Sequence, residues 1–147
     1  MMVVYTIGFT QKRASTFFGL LSRNTVETVL DVRLNNRSQL SGFARQEDLA
    51  YFLWHLKGIG YSHQQLLAPP KQLLADYRNR RIGWDAYASA FNEVLRDRSV
   101  ERWIDPEALD NGCLLCSEHE PHYCHRRLAL EYLASEWRTE MEVRHLT

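Results

Sequence analysis

The chain lacks any apolar run approaching the roughly 20 residues that a bilayer-spanning helix needs, so no transmembrane segment is expected. Its start, Met1-Met2-Val3-Val4, passes directly into Thr6 and Gly8 without a secretory apolar region, and the expectation is a cytoplasmic protein. It also lacks an excess of charge. Eighteen Lys and Arg balance 18 Asp and Glu, which argues against a chain that grips nucleic acid by overall positive charge. Lysine is scarce, at Lys12, Lys57 and Lys71, so the basic residues are mostly arginine, the better bidentate fork for planar anions. Cysteine is limited to Cys113, Cys116 and Cys124. An odd number in one short segment does not make a disulfide scaffold and points to reactive or metal-binding thiols. Gly8 has no glycine-rich continuation, and neither a phosphate-binding loop nor a Gly-x-Ser-x-Gly nucleophile motif occurs.

What is present is one domain's worth of chain: 147 residues, 45% hydrophobic and 24% charged, within the globular range. Val3 to Ile7 is a β-branched run ended by Gly8, and Ala14, Phe17, Phe18 and Leu21 follow at helical spacing. Val26 to Val32 reads as a second strand closing on Asp31-Val32-Arg33. Residues 34–45 have the composition of an exposed loop, long enough to suspect function. Gln46 to Lys57 places Leu49, Phe52, Leu53 and Leu56 on one helical stripe, stopped by Gly58. A short strand is expected near Ile59 to Ser62, and Lys71 to Arg81, after Pro69-Pro70, reads as a loop or short helix. Trp84, Tyr87, Ala88, Phe91, Val94 and Leu95 form a strong helical face. Cys113 to Cys116 has the pattern of a strand buried on both faces, a helix begins near Cys124, and Met141 to His145 alternates like an edge strand.

Strands alternating with helices predict a single three-layer α/β domain over residues 1–147, with a mainly parallel sheet of about five strands. Such sheets bind ligands at the carboxyl ends of their strands, which selects Gly8-Phe9-Thr10, Asp31-Val32-Arg33, Cys116-Ser117-Glu118 and Cys124-His125-Arg126. A thiol at Cys124 in the first turn of a helix would have a lowered pKa, favoured by unpaired N–H groups, His125 and Arg126; the alternative is a small buried hydrophobe. Arg126 at a helix start could bind an anion. Asp31 and Arg33, two apart on a strand, share a face and either pair with each other or act as a base and an anion clamp. Glu118 is a candidate general acid or base. Cys116, His119, Cys124 and His125 form a conceivable zinc set, whereas Cys113 and Cys116 face opposite sides of a strand and do not belong to one. Tyr5, Trp54, Tyr61, Trp84, Tyr87 and Trp103 offer stacking faces but mostly sit at core spacing.

The segments Tyr5-Thr6-Ile7-Gly8-Phe9-Thr10, Asp31-Val32-Arg33, Gly58-Ile59-Gly60-Tyr61, Leu114-Leu115-Cys116-Ser117-Glu118 and Cys124-His125-Arg126-Arg127, in this order, resemble the family catalogued as domain of unknown function four-eight-eight. The resemblance implies a small intracellular α/β domain whose characteristic polar residues fall on Asp31, Arg33, Cys116, Glu118, Cys124, His125 and Arg126. It supplies no reaction. Where family members carry a proline after the Asp-Val-Arg motif, this chain has Asn35-Asn36.

The leading expectation is a pocket binding a small anionic or nucleotide-like ligand and open to catalysis. Arg33, Arg126, His125 and Thr10 contact the ligand, Cys124 or Cys116 is the nucleophile, and Glu118 or Asp31 moves protons. No metal or cofactor is assigned. The alternatives are a non-catalytic nucleic-acid or nucleotide-binding module using Arg37, Arg45, Arg78, Arg80 and Arg81, and a small zinc or redox protein built on the Cys/His cluster.

Overall fold

A computed structural model describes residues 1–34, 44–117 and 123–147. Strand β1 (Met2–Gly8) leads to helix α1 (Ala14–Arg23) and strand β2 (Thr28–Asp31). Helix α2 (Gln46–Phe52) and strand β3 (Gly60–His63) follow, then helices α3 (Lys71–Arg78), α4 (Trp84–Arg98) and α5 (Pro106–Leu109). Strand β4 (Gly112–Cys116), helix α6 (His125–Trp137) and strand β5 (Met141–Leu146) complete the chain. The five strands form one sheet in the order β3-β2-β4-β1-β5, every pairing parallel.

The period-2 alternation of the strands divides the core between the two faces of this sheet. Tyr5, Ile7, Val29, Cys113 and Leu115 pack with Phe17 and Leu21 of α1 and Leu49 of α2. Val4, Leu30, Leu114 and Cys116 pack with Phe91 and Leu95 of α4 and Leu128 and Leu133 of α6. Helices therefore cover both faces, giving the three layers that the alternating pattern predicts. All five residues of β4 are buried, which is why its sequence is an unbroken apolar run. Cys113 and Cys116 lie on opposite faces, as their spacing requires.

Two elements depart from the sequence pattern. The strand expected over Val26 to Val32 is confined to Thr28–Asp31, although Val26 and Val32 are still buried. The stripe expected to bury Leu56 does not: its side chain is 63% exposed. Helix α2 continues over Leu53–Lys57 as a widened π-type turn, and the wider turn carries Leu56 off the buried face. Gly58 then ends it with a left-handed φ of 66°, a conformation that favours glycine. Lys71 to Arg78, left open between loop and helix by its sequence, is helical.

The connectivity positions the site. From β1 the chain crosses through α1 toward β2 on one side of the sheet, and from β4 it crosses through α6 toward β5 on the other. Neighbouring strands β1 and β4 thus send their connections in opposite directions and over opposite faces. Such a switch point opens a crevice beyond the carboxyl ends of the two strands.

Candidate functional site

At the switch point β1 and β4 stay joined past their regular ends. Phe9 N–H donates to the Cys116 carbonyl at 3.2 Å and Thr10 N–H to the Ser117 carbonyl at 3.3 Å. The Thr10 hydroxyl donates to the same Ser117 carbonyl at 2.6 Å. A cavity of about 460 Å³ opens above them. Its described walls are Phe9, Thr10, Cys116 and Ser117 from the two strand ends, Arg33 and Leu34 after β2, Leu74, Tyr77 and Arg78 of α3, Tyr87 of α4, and Tyr123, Cys124 and His125 at the start of α6.

Beyond β2 the alternation places Asp31 and Arg33 on one face, and they pair. Arg33 Nε donates to Asp31 Oδ1 and Nη2 to Oδ2, both at 2.8 Å, with the Arg33 backbone N–H on Oδ1 at 3.1 Å. Tyr61 donates its hydroxyl to Oδ2. Asp31 is completely buried and Arg33 nearly so, so the charges compensate each other where solvent cannot. The Arg33 guanidinium also lies 5.2 Å from the Phe9 ring centre. Asp31 is absent from the described cavity wall, and its oxygens are engaged by Arg33 and Tyr61; Arg33 reaches the wall.

The thiols meet where β4 gives way to α6. Cys116 Sγ and Cys124 Sγ are 2.8 Å apart, both as free thiols. His125 Nε2 is 2.7 Å from the Val32 carbonyl oxygen. A carbonyl can only accept, so Nε2 carries the proton and Nδ1 is left as an acceptor, 3.8 Å from Cys124 Sγ. Burial lowers the His125 pKa to about 4; the Val32 hydrogen bond opposes this, and the positive charges of Arg126 and Arg78 reinforce it. At neutral pH the imidazole is uncharged.

The low-pKa thiol expected at Cys124 is overturned. Burial, followed by the hydrogen bond and charge of Cys116, pushes the Cys124 pKa well above its ordinary value, and Arg126 offsets only part of that. Cys124 is moreover the residue preceding the first helical one, with extended backbone (φ −132°, ψ 143°), and not a member of the first turn. The helix-start contribution that the sequence suggested is correspondingly weaker than the desolvation.

Arg126, expected on the ligand, is fully buried and donates from Nη1 to Cys116 Sγ at 3.0 Å. It is absent from the described cavity wall, where the guanidinium-bearing residues are Arg33 and Arg78. The structure therefore brings together Thr10, Arg33, Cys116, Cys124 and His125, with Asp31 behind Arg33 and Arg126 behind Cys116. Glu118, His119 and Arg37 lie outside the described residues, as do Asn35-Asn36 and most of the 34–45 loop. Among the described residues no group of three or more His, Cys, Asp or Glu side chains is placed to hold a metal ion.

Sequence reasoning placed Arg78 only in the alternative nucleic-acid surface and missed Leu74 and Tyr77, its neighbours on α3 in the cavity wall. Tyr77 stacks on Tyr87 with ring centres 4.6 Å apart, and both rings line the cavity beside Arg78. The i, i+3, i+4 spacing of Leu74, Tyr77 and Arg78 puts them on one helical face and was the available signal. Trp84 stays with Tyr77 and Tyr87, its ring centre 5.8 Å from that of Tyr77 and 5.6 Å from that of Tyr87, whereas the other stacking candidates disperse. Tyr61 holds Asp31, Tyr5 shares a hydrogen bond with Thr25, and Trp54 and Trp103 are exposed. Arg80 and Arg81 are exposed beyond α3, with Arg81 Nη1 3.4 Å from Asp76.

An all-parallel five-stranded sheet with helices on both faces and a cavity at its switch point defines a three-layer α/β protein. The family model described as domain of unknown function DUF488 matches residues 13–133, and the chain belongs to that family. No match was found among curated proteins or among solved structures. No helix is long and apolar enough to cross a membrane among the described residues.

Proposed function

We propose that residues 1–147 form one domain that binds a small anionic, nucleotide-like ligand in the switch-point cavity, with Cys124 as its reactive group. One observation carries the reading: Arg33, Arg78 and the Cys116, Cys124 and His125 group share the walls of a single cavity of about 460 Å³, a volume typical of small-molecule sites. Arg33 uses Nε and Nη2 on Asp31, which holds the side chain, and among the described residues Nη1 has no hydrogen-bond partner and is the atom offered to an anion. Arg78 adds a second cation across the cavity. The stacked Tyr77 and Tyr87 rings offer a flat apolar wall to a planar base, and Thr10 and Ser117 contribute hydroxyls. Asp31 is a positioning residue for Arg33 in this reading.

Cys124 is the nucleophile in this reading. Because Nε2 is fixed on the Val32 carbonyl, the nitrogen acceptor for its proton is His125 Nδ1 at 3.8 Å. Nδ1 takes the proton only as the sulfur attacks, since burial opposes a resting thiolate and imidazolium pair. The raised thiol pKa keeps the group protonated in the unliganded cavity. The binding test is calorimetric titration of the reduced full chain with nucleoside monophosphates, compared with Arg78→Ala. Arg78 is exposed at the end of α3, so its truncation leaves the core intact. Saturable one-to-one binding that weakens about tenfold in the variant, equivalent to about 1.4 kcal/mol, is expected. No binding by folded protein, or an unchanged Kd in Arg78→Ala, contradicts the reading.

A further inference from the structure

The ligand reading uses Cys124 as a single nucleophile and leaves the second sulfur unexplained. Cys116 closes β4 and Cys124 precedes α6, so the two come from different elements, yet their Sγ atoms stand 2.8 Å apart in a shared cavity wall. A covalent S–S bond is about 2.0 Å long, and a small side-chain adjustment covers the difference. Both residues line the cavity, which gives a small oxidant a route to them although neither is exposed at the outer surface.

We infer that Cys116 and Cys124 are a peroxide-sensitive dithiol, which closes reversibly to an intramolecular disulfide and thereby removes the nucleophile from the ligand site. The bridge rests on the sulfur geometry; the loss of function rests also on the reading of the cavity as a ligand site.

The chemistry balances with a hydroperoxide as oxidant. Arg126 Nη1, 3.0 Å from Cys116 Sγ, places positive charge where sulfur anion character develops, so Cys116 attacks first. Its sulfur bonds to one peroxide oxygen, the O–O bond breaks, and the departing hydroxide leaves as water with the Cys116 proton. Cys124 Sγ then attacks the sulfenic sulfur of Cys116 and displaces hydroxide. That hydroxide takes up the Cys124 proton by way of His125 Nδ1, so peroxide is reduced to two waters and two thiols become one disulfide. Cys113 is an internal control: it is buried on the opposite face of the sheet, among the α1 and α2 side chains.

The test is peptide mapping of the full chain treated with hydrogen peroxide, with remaining thiols alkylated under denaturing conditions. The free-thiol count should fall from the three of the reduced chain to one, with Cys116 and Cys124 in one linked peptide that dithiothreitol separates. Cys113→Ser should form the same bridge, and Cys124→Ser should accumulate a dimedone-reactive sulfenic acid on Cys116. Linkage through Cys113, sulfinic or sulfonic acid without a linked peptide, or an unchanged thiol count overturns the inference; an unmodified Cys116 in Cys124→Ser overturns the order of attack. The masses are read without ligand. Failure to bind nucleotides therefore leaves the bridge standing, and failure of the bridge leaves the binding reading standing.

Discussion

Arg126 Nη1 donates to Cys116 Sγ at 3.0 Å from a position with no solvent exposure. A charge held there acts through a less polarisable medium than water, and it is among the influences that lower the Cys124 pKa against the larger effect of burial. Removing it should make the thiols still less reactive. In Arg126→Met, iodoacetamide alkylation of the Cys116 and Cys124 pair in mildly alkaline buffer should slow about tenfold, the effect of one pKa unit, and Arg126→Lys should restore most of the rate. Equal rates in all three proteins, with unchanged circular dichroism, would remove Arg126 from the thiol chemistry.

The Asp31 and Arg33 pair is buried and bidentate. Truncating Arg33 strands the carboxylate away from water. Arg33→Ala should lower unfolding stability by about 3–5 kcal/mol, the usual cost of breaking a buried pair. Asp31→Asn combined with Arg33→Ala should cost less than the sum of the single changes. Urea denaturation of the four proteins checks this, and strict additivity would show that the pair is uncoupled.

Stability should depend on pH through His125. Its folded pKa is lowered to about 4, by burial first and then by Arg126 and Arg78, with Asp31 and the Val32 hydrogen bond opposing. A histidine lowered on folding binds its proton more tightly when unfolded. Its contribution is complete above the unfolded value of about 6.5 and is lost as pH falls toward 4. Across that window the loss amounts to about 3 kcal/mol. His125→Gln should flatten this part of the urea-midpoint profile, and an unaltered slope would assign the pH dependence to other groups.

Gly112 opens β4 where a side chain has no room. A Cβ there would lie 2.6 Å from Leu30 Cδ1 and 2.9 Å from the backbone oxygens of Ala108 and Leu109. Backbone oxygens cannot rotate away. Gly112→Ala should destabilise by about 1–3 kcal/mol, and a thermal midpoint equal to that of the parent would mean that α5 shifts freely.

The sheet was legible because burial on both faces writes itself into β4 as the run Cys113-Leu114-Leu115-Cys116, and period 2 placed Asp31 and Arg33 together. Strand order was not legible. It depends on which crossover passes over which face, a property of the assembled sheet, and so the adjacency of β1 and β4 and the cavity between them emerged only in three dimensions. Arg126 misled for a related reason: a basic residue at a helix start looks like an anion site, but the face it occupies turns it inward to Cys116. The low-pKa reading of Cys124 failed because chain position indicates the helix start but not the desolvation, which is larger here. Tyr77 escaped notice, and Arg78 was assigned only to the alternative nucleic-acid surface, because α3 has no buried residue and so a weak apolar stripe.

The most direct test of the ligand site is a titration of isotope-labelled, reduced full chain with a nucleoside monophosphate, followed by backbone amide resonances. Saturable shifts should concentrate on Thr10, Arg33, Arg78, Ser117 and Tyr123, which line one cavity, and fade in Arg78→Ala. Amides that remain unmoved at millimolar ligand, or shifts confined to the exposed surface around Trp54, would contradict the assignment of the cavity as an anion-binding site.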